Sequence, residues 1–259
     1  MNKNQEDTIK QLIEYISKDE SILGLILCGS IAKGTETDRS DIDVFVVVTD
    51  ERFNKEMMCK NYFWGTDFDS KEFKVEVDGK IIPKEFLERI WEYGNESIKS
   101  TLYHSKVIYS RDFDIEKLLM NKSYLTTHEK NENIRKFYSL MKSSRFSADD
   151  DLENILYVNK CIYDTVFYAC RLVLAHNNIY YPCVKNIYKE LSICDKLPTD
   201  FISLMNEVLN SYSFDKMVKF YNCVDEYFKE HRFDNRLRRG YVLENELFWY
   251  FNIFPYAEI

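Results

Sequence analysis

Apolar positions follow two different periods along this chain, and the change of period divides it. Near the start, Ile9, Leu12, Ile13 and Ile16 recur at helical spacing and predict an amphipathic first helix within residues 5–19. Two short apolar runs follow, Ile22–Cys28 and Val44–Val48, rich in β-branched residues and bounded by polar turn chemistry; they predict buried strands. Residues 49–72 are polar and aromatic without a clean period and read as a loop or irregular segment, in which Phe63 and Trp64 suit a core lid better than a base-stacking platform. In Phe73–Ile82, Val75 and Val77 alternate with Glu76 and Asp78, the pattern of a half-buried strand. A helix over Pro83–Asn95 with Phe86, Leu87, Ile90, Trp91 and Ile98 on its apolar side comes next, then a strand at Lys106–Tyr109 and a short helix at Ile115–Met120. This order predicts a small mixed sheet with helices on one side.

From about Ser123 alternation disappears. Helical periods run through 129–141, 152–175, 184–191, 201–209, 214–228 and 242–251, so the second half reads as a bundle of five or six helices, with Asp149-Asp150-Asp151 as an acidic cap on the long one. The fold class is therefore α+β: a small mixed β-sheet domain over residues 1–122, then an all-α helical bundle over 123–259.

The chemistry concentrates where the first two strands meet their connecting loop. Gly29-Ser30 ends the first run, and Ser40-Asp41-Ile42-Asp43 opens the second. Residues two apart on a strand project from one face, so Asp41 and Asp43 are neighbouring carboxylates, which repel each other and lose hydration. A divalent cation relieves both costs, and hard Mg²⁺ shares its shell between carboxylates, water and substrate phosphates. A Gly-Ser turn offers backbone N–H groups and a hydroxyl to a phosphate, with Lys33 and Ser40 as further phosphate or loop-ordering candidates.

Gly29-Ser30, then Asp41-x-Asp43 after about a dozen residues, resembles the signature of the nucleotidyltransferase superfamily that includes DNA polymerase β. That resemblance implies two Mg²⁺ ions, ATP or another nucleoside triphosphate as donor, and a third metal-binding carboxylate from a neighbouring strand. Glu76 and Asp78 are the candidates. The stretch Val77-Asp78-Gly79-Lys80-Ile81-Ile82 is similar to a segment of bacterial stand-alone nucleotidyltransferases in which the Asp takes that role, which favours Asp78 and leaves Glu76 as a base if one is needed. Lys80 suits either a phosphate contact or a strand-end lysine. Residues 174–185, with a helix end, an aromatic-Pro turn and Lys185, resemble the C-terminal helical domain of the same enzymes, where the bundle shapes the acceptor pocket. Asp164, inside an apolar helix, and Lys185 are acceptor-pocket candidates, although a structural ion pair suits each as well. Similarity to aminoglycoside and lincosamide nucleotidyltransferases implies transfer of AMP to a hydroxyl of an antibiotic-like small molecule. Nucleotidylation of a protein hydroxyl, as in toxin-neutralising relatives, is the alternative. A rival reading takes Arg171 and His176 as the Arg-x₄-His pair of a helical-bundle ribonuclease.

Charge and composition narrow these. Net charge is −8, with 18 basic and 24 acidic residues in the first 122 positions and 17 and 19 in the rest, so neither half has the basic excess of a nucleic-acid-gripping protein. An acidic protein suits a cationic or neutral acceptor. The seven cysteines form no Cys-x-x-Cys pair, there is no signal-peptide core, and no apolar run approaches membrane-spanning length. A reduced, cytoplasmic protein is expected.

Overall fold

The computed structural model describes residues 1–65, 73–120, 124–232 and 235–252. Contacts divide the chain into two compact units, Met1–Ser123 and Tyr124–Ile259.

The first unit runs α1 (Lys3–Ile16), β1 (Ile22–Leu27), α2 (Gly29–Lys33), β2 (Ile42–Val48), α3 (Asp50–Met58), β3 (Phe63–Gly65), β4 (Val77–Pro83), α4 (Lys84–Tyr93), α5 (Glu96–Tyr103), β5 (Lys106–Ser110) and α6 (Phe113–Met120). The five strands lie in the order β3-β4-β2-β1-β5, with β2 and β4 parallel and every other pair antiparallel. Strand alternation sorts β2 between two cores. Ile42, Val44, Val46 and Val48 pack with Leu12 and Ile16 of α1. Phe45 and Val47 pack on the other face with Ile82, Leu87, Ile90, Leu102, Ile115 and Leu119. Both faces are thus covered by helices, in contrast to the one-sided sheet that element order suggested. The reason is that β2 is apolar at successive positions from Val44 to Val48, and a strand buried on both sides needs a layer on each. Each fully buried Val or Ile contributes about 1.5–3 kcal/mol, so the strands that flank the Gly-Ser turn and the aspartates are also the best anchored.

Two stretches depart from the sequence expectation. Residues 50–58 form α3, capped by Thr49, whose hydroxyl accepts from Arg52 N at 3.4 Å, and 63–65 form β3, where an irregular segment was expected. Residues 66–72 of that stretch lie outside the described residues. The helix expected over Pro83–Asn95 is α4, closed at Gly94; Ile98, expected on its apolar side, belongs to a separate helix, α5, which the Asn95 side chain caps by accepting from Ile98 N at 2.9 Å. Trp64 packs in the core on the α1 side, its ring 6.3 Å from Tyr15, while Phe63 is exposed.

The second unit consists of α7 (Thr127–Ser147), α8 (Ile155–His176), α9 (Ile187–Ser192), α10 (Phe201–Ser211), α11 (Phe214–Tyr227), α12 (Asn235–Glu246) and α13 (Phe248–Phe251), with short 3₁₀ turns at Val184–Asn186 and Lys229–His231. Its core surrounds α8, of which every residue from Thr165 to Ala175 is buried. The cap of α8 is Asn154, whose side chain accepts from Tyr157 N at 3.1 Å. The three aspartates at 149–151 precede it, and Asp149 instead closes α7 in an ion pair with Arg145 at 2.9 Å.

Candidate functional site

The strand ends assemble the polar site because the pairing is strict. In the parallel β2–β4 ladder Asp43 is the partner of Asp78, Phe45 of Lys80 and Val47 of Ile82. Directly paired residues share a face and neighbouring strands lie about 4.8 Å apart, so Asp43 and Asp78 are adjacent carboxylates. Asp41 lies two residues before Asp43, half-buried, just ahead of β2. Glu76 immediately precedes β4, with its carbonyl accepting from Ile42 N at 2.9 Å and its side chain exposed. Asp78, rather than Glu76, is therefore within the ladder beside Asp43.

Gly29 closes the arrangement from β1. Cys28 N donates to Asp43 O at 2.9 Å, which carries the chain past the end of β1 alongside Asp43. At Gly29 φ is +65°, and a Cβ there would lie 1.9 Å from Asp43 Oδ2. Only glycine meets both demands, the left-handed backbone and the carboxylate in the space of a side chain. Ser30 stands in the first turn of α2, and α2 ends at Gly34, with Lys33 half-buried in its last turn. Ser40 is a loop-ordering residue: its hydroxyl accepts from Thr37 N at 2.9 Å.

Two more side chains join the site. Lys80 lies over Phe45, with Nζ 5.6 Å from the ring centroid, on the face shared by Asp43 and Asp78. The Cys28 thiol is buried next to the Asp43 carboxylate. Burial first, and then that negative charge, push its pKa up to about 12, against the pull of Lys80. It is a neutral thiol at physiological pH, a packing group rather than a nucleophile.

Among the described residues no three His, Cys, Asp or Glu side chains stand close enough together to enclose a metal ion. Asp43 and Asp78 share a sheet face rather than forming a cage. Their chemistry fits Mg²⁺, which takes one or two protein carboxylates and completes its shell with water and substrate phosphates. Asp43, wedged against Gly29 and beside Asp78, is a pair of like charges that such a cation would relieve.

Residues 10–114 match the family described as polymerase beta, nucleotidyltransferase. The N-terminal unit carries a nucleotidyltransferase domain. Gly29, Ser30, Asp41, Asp43 and Asp78 all lie within the matched residues. Among solved structures, the nucleotidyltransferase-like protein from Exiguobacterium sibiricum 255-15 aligns with 93% of this chain and 79% of its own, at 11% identity and a TM-score of 0.48. Spectinomycin adenyltransferase AAD(9) from Enterococcus faecialis, with ATP and spectinomycin, aligns with 82% of this chain and 99% of its own, at 16% identity and a TM-score of 0.35. No curated protein matches the chain.

In the helical unit each candidate has its own surroundings. Asp164 is held by Lys160, whose Nζ is 2.6 Å from both carboxylate oxygens; burial raises the Asp164 pKa and that ammonium opposes the rise. Lys185 is exposed on the 3₁₀ turn. Arg171 is buried between aromatic rings, its guanidinium 4.0 Å from Tyr181 and 4.3 Å from Phe137. His176 instead packs at the end of α8 against Phe228 at 5.2 Å and His231 at 6.3 Å. Five residues advance a helix by about 500°, which leaves the two side chains roughly 140° apart around the axis. No described helix is long and apolar enough to cross a membrane.

Two contributors escaped the sequence reading. Cys28 reads in the sequence only as the end of an apolar run, and its place beside Asp43 depends on strand pairing. The other is Gln5. Its signal was the Asn2-x-x-Gln5 spacing of a capping box.

Proposed function

We propose that this protein transfers a nucleoside monophosphate, AMP from ATP, to a hydroxyl of a small molecule, with Asp41, Asp43 and Asp78 as Mg²⁺ ligands. The observation that carries this is the register of Asp43 on Asp78 with Gly29 against the Asp43 carboxylate. When bound, Mg²⁺ supplies charge neutralisation on the triphosphate and a lower pKa for the acceptor hydroxyl. The first-turn amides and hydroxyl at Gly29 and Ser30 hold the terminal phosphates, with Lys33 at the far end of α2 adding positive charge. Ser40 acts through the loop it orders. A new bond forms between the acceptor oxygen and the α-phosphorus, the bond to pyrophosphate breaks, and the acceptor proton leaves to solvent or to Glu76. Since the phosphoryl group does little covalent chemistry with the protein, rate comes from alignment and charge compensation.

The helical unit, residues 123–259, is assigned to acceptor recognition, with Asp164 and Lys185 as the residues to test. A net charge of −8 suits a cationic or neutral acceptor. Resemblance of the sequence motifs to aminoglycoside and lincosamide enzymes makes those two classes the first panel. Incubation with labelled ATP and Mg²⁺, together with aminoglycosides, lincosamides and candidate partner proteins, should transfer label to one small-molecule class. Label appearing on a protein instead would make the acceptor a protein hydroxyl. No transfer to any class, with ATP bound equally well by wild type and an Asp41→Ala/Asp43→Ala protein, would overturn the assignment.

A further inference from the structure

The loop from α2 to β2 delivers Asp41, and a buried amide from another element holds that loop. Gln5, in the first turn of α1, is 1% exposed. Its Nε2 donates to Thr37 O and to Ser40 O, each at 3.0 Å. Its Oε1 accepts from Asn2 N at 2.9 Å, as part of the α1 capping box. A glutamine amide has two N–H donors and one carbonyl. Both donors are therefore committed to the loop, and the carbonyl to the helix end. Asn2 adds a bond from Nδ2 to Asp38 Oδ1 at 3.3 Å.

These contacts matter because Asp41 lies outside the ladder. On its C-terminal side Ile42 N donates to Glu76 O at 2.9 Å, which fixes the first strand peptide. On its N-terminal side the Ser40 carbonyl is held by Gln5. A peptide is planar, so fixing that carbonyl fixes the plane from which the Asp41 Cα departs. We propose that Gln5 is a positioning residue for the Asp41 carboxylate. The proposal rests on the reading of Asp41 as a metal ligand. Thr8, three residues further along α1, provides the contrast: it is 0% exposed, and its hydroxyl has no hydrogen-bond partner among the described residues. A residue that merely fills the α1 side of the core should behave as Thr8 does.

The test compares Gln5→Met, which keeps length and volume but removes both donors, with Gln5→Asn, a milder lesion too short to span both carbonyls, and with Thr8→Val. Two quantities are read on the full chain: amide hydrogen exchange over residues 37–42, and the Mg²⁺ concentration that gives half-maximal ATP binding. Gln5→Met should speed exchange across the loop by about 10-fold or more, leave β1 and β5 amides unchanged, and raise the half-saturating Mg²⁺ by about 10-fold, the scale on which supporting shells tune metal affinity. Gln5→Asn should move both in the same direction by less, which decides the matter if Gln5→Met fails to fold. Thr8→Val should match wild type in both. Unchanged loop exchange in the Gln5 variants, equal changes in Thr8→Val, or faster exchange with an unchanged Mg²⁺ requirement would each overturn the positioning role. A wild type that binds ATP without regard to Mg²⁺ is a different failure. It overturns the metal reading of Asp41 and with it the purpose assigned to Gln5, whatever the exchange data show.

Discussion

The Asp225 cluster of the bundle and the Asp43–Asp78 pair of the sheet set carboxylates in different company. In the helical unit a carboxylate is met by groups of complementary polarity: Asp225 accepts from the Tyr138 and Tyr221 hydroxyls and from Arg232, whose Nη2 is 2.5 Å away, and Asp164 is met by Lys160. In the sheet unit Asp43 stands in register with Asp78, carboxylate beside carboxylate, and its oxygen fills the space of the missing Gly29 side chain. The first arrangement lowers the cost of burying a charge. The second adds a like-charge repulsion, which a bound cation offsets. On this contrast, removing charge from the sheet site should cost function and little stability, while removing it from the bundle should cost stability first.

The largest expected effect is at the sheet. Asp43→Asn should lower nucleotidyl transfer by roughly 10³-fold or more, with a melting temperature equal to or above that of wild type because a like-charge contact is relieved. Parallel losses of activity and melting temperature would break the comparison, since Asp43 would then be a structural residue. Gly29→Ala should follow. With φ at +65° and Asp43 Oδ2 1.9 Å from the new methyl, the turn must move, and we expect a loss of activity of about 100-fold with about 1–3 kcal/mol of destabilisation.

In the bundle, Tyr138→Phe should destabilise by about 1–2 kcal/mol, measured by chemical denaturation, and leave the KM for ATP unchanged. The same cluster sets a pH dependence. Burial raises the Asp225 pKa, but hydrogen bonds from Tyr138 and Arg232 more than offset it, so the carboxyl sits below its ordinary value. A depressed carboxyl contributes stability above the unfolded-state pKa, about 3.9, and that contribution is lost as pH falls through the folded-state value. Acid titration of unfolding should show this loss in wild type and not in Asp225→Asn. The smallest effect belongs to the partly exposed Lys160–Asp164 pair. Asp164→Asn should change stability by about 0.5 kcal/mol or less. A rise in acceptor KM with an unchanged KM for ATP would identify Asp164 as an acceptor contact.

Local signals make the centre of the site readable in the sequence. Gly29-Ser30, Asp41 and Asp43 stand out because polar residues interrupt apolar runs that must be strands, and the helical periods after Ser123 are long enough to recognise. What escaped depends on partners distant in sequence or on faint patterns. The resemblance favours Asp78 over Glu76, but that Asp78 pairs directly with Asp43 is a matter of register between strands 35 residues apart. The α3 helix buries no residue and so carries no apolar stripe to read. Alternation at Phe45 and Val47 signals a second buried face only once α4 to α6 are known to cover it. The two hydrogen bonds from Gln5 join α1 to a loop more than thirty residues away, and only its capping spacing was visible locally.

The most direct test of the central claim is calorimetric titration of ATP, with and without Mg²⁺, into wild type and Asp43→Asn. The expected result is Mg²⁺-dependent binding in wild type and a loss of about 100-fold or more in the variant, with the variant melting no lower than wild type. Equal affinity in the two proteins, or binding indifferent to Mg²⁺, would contradict it.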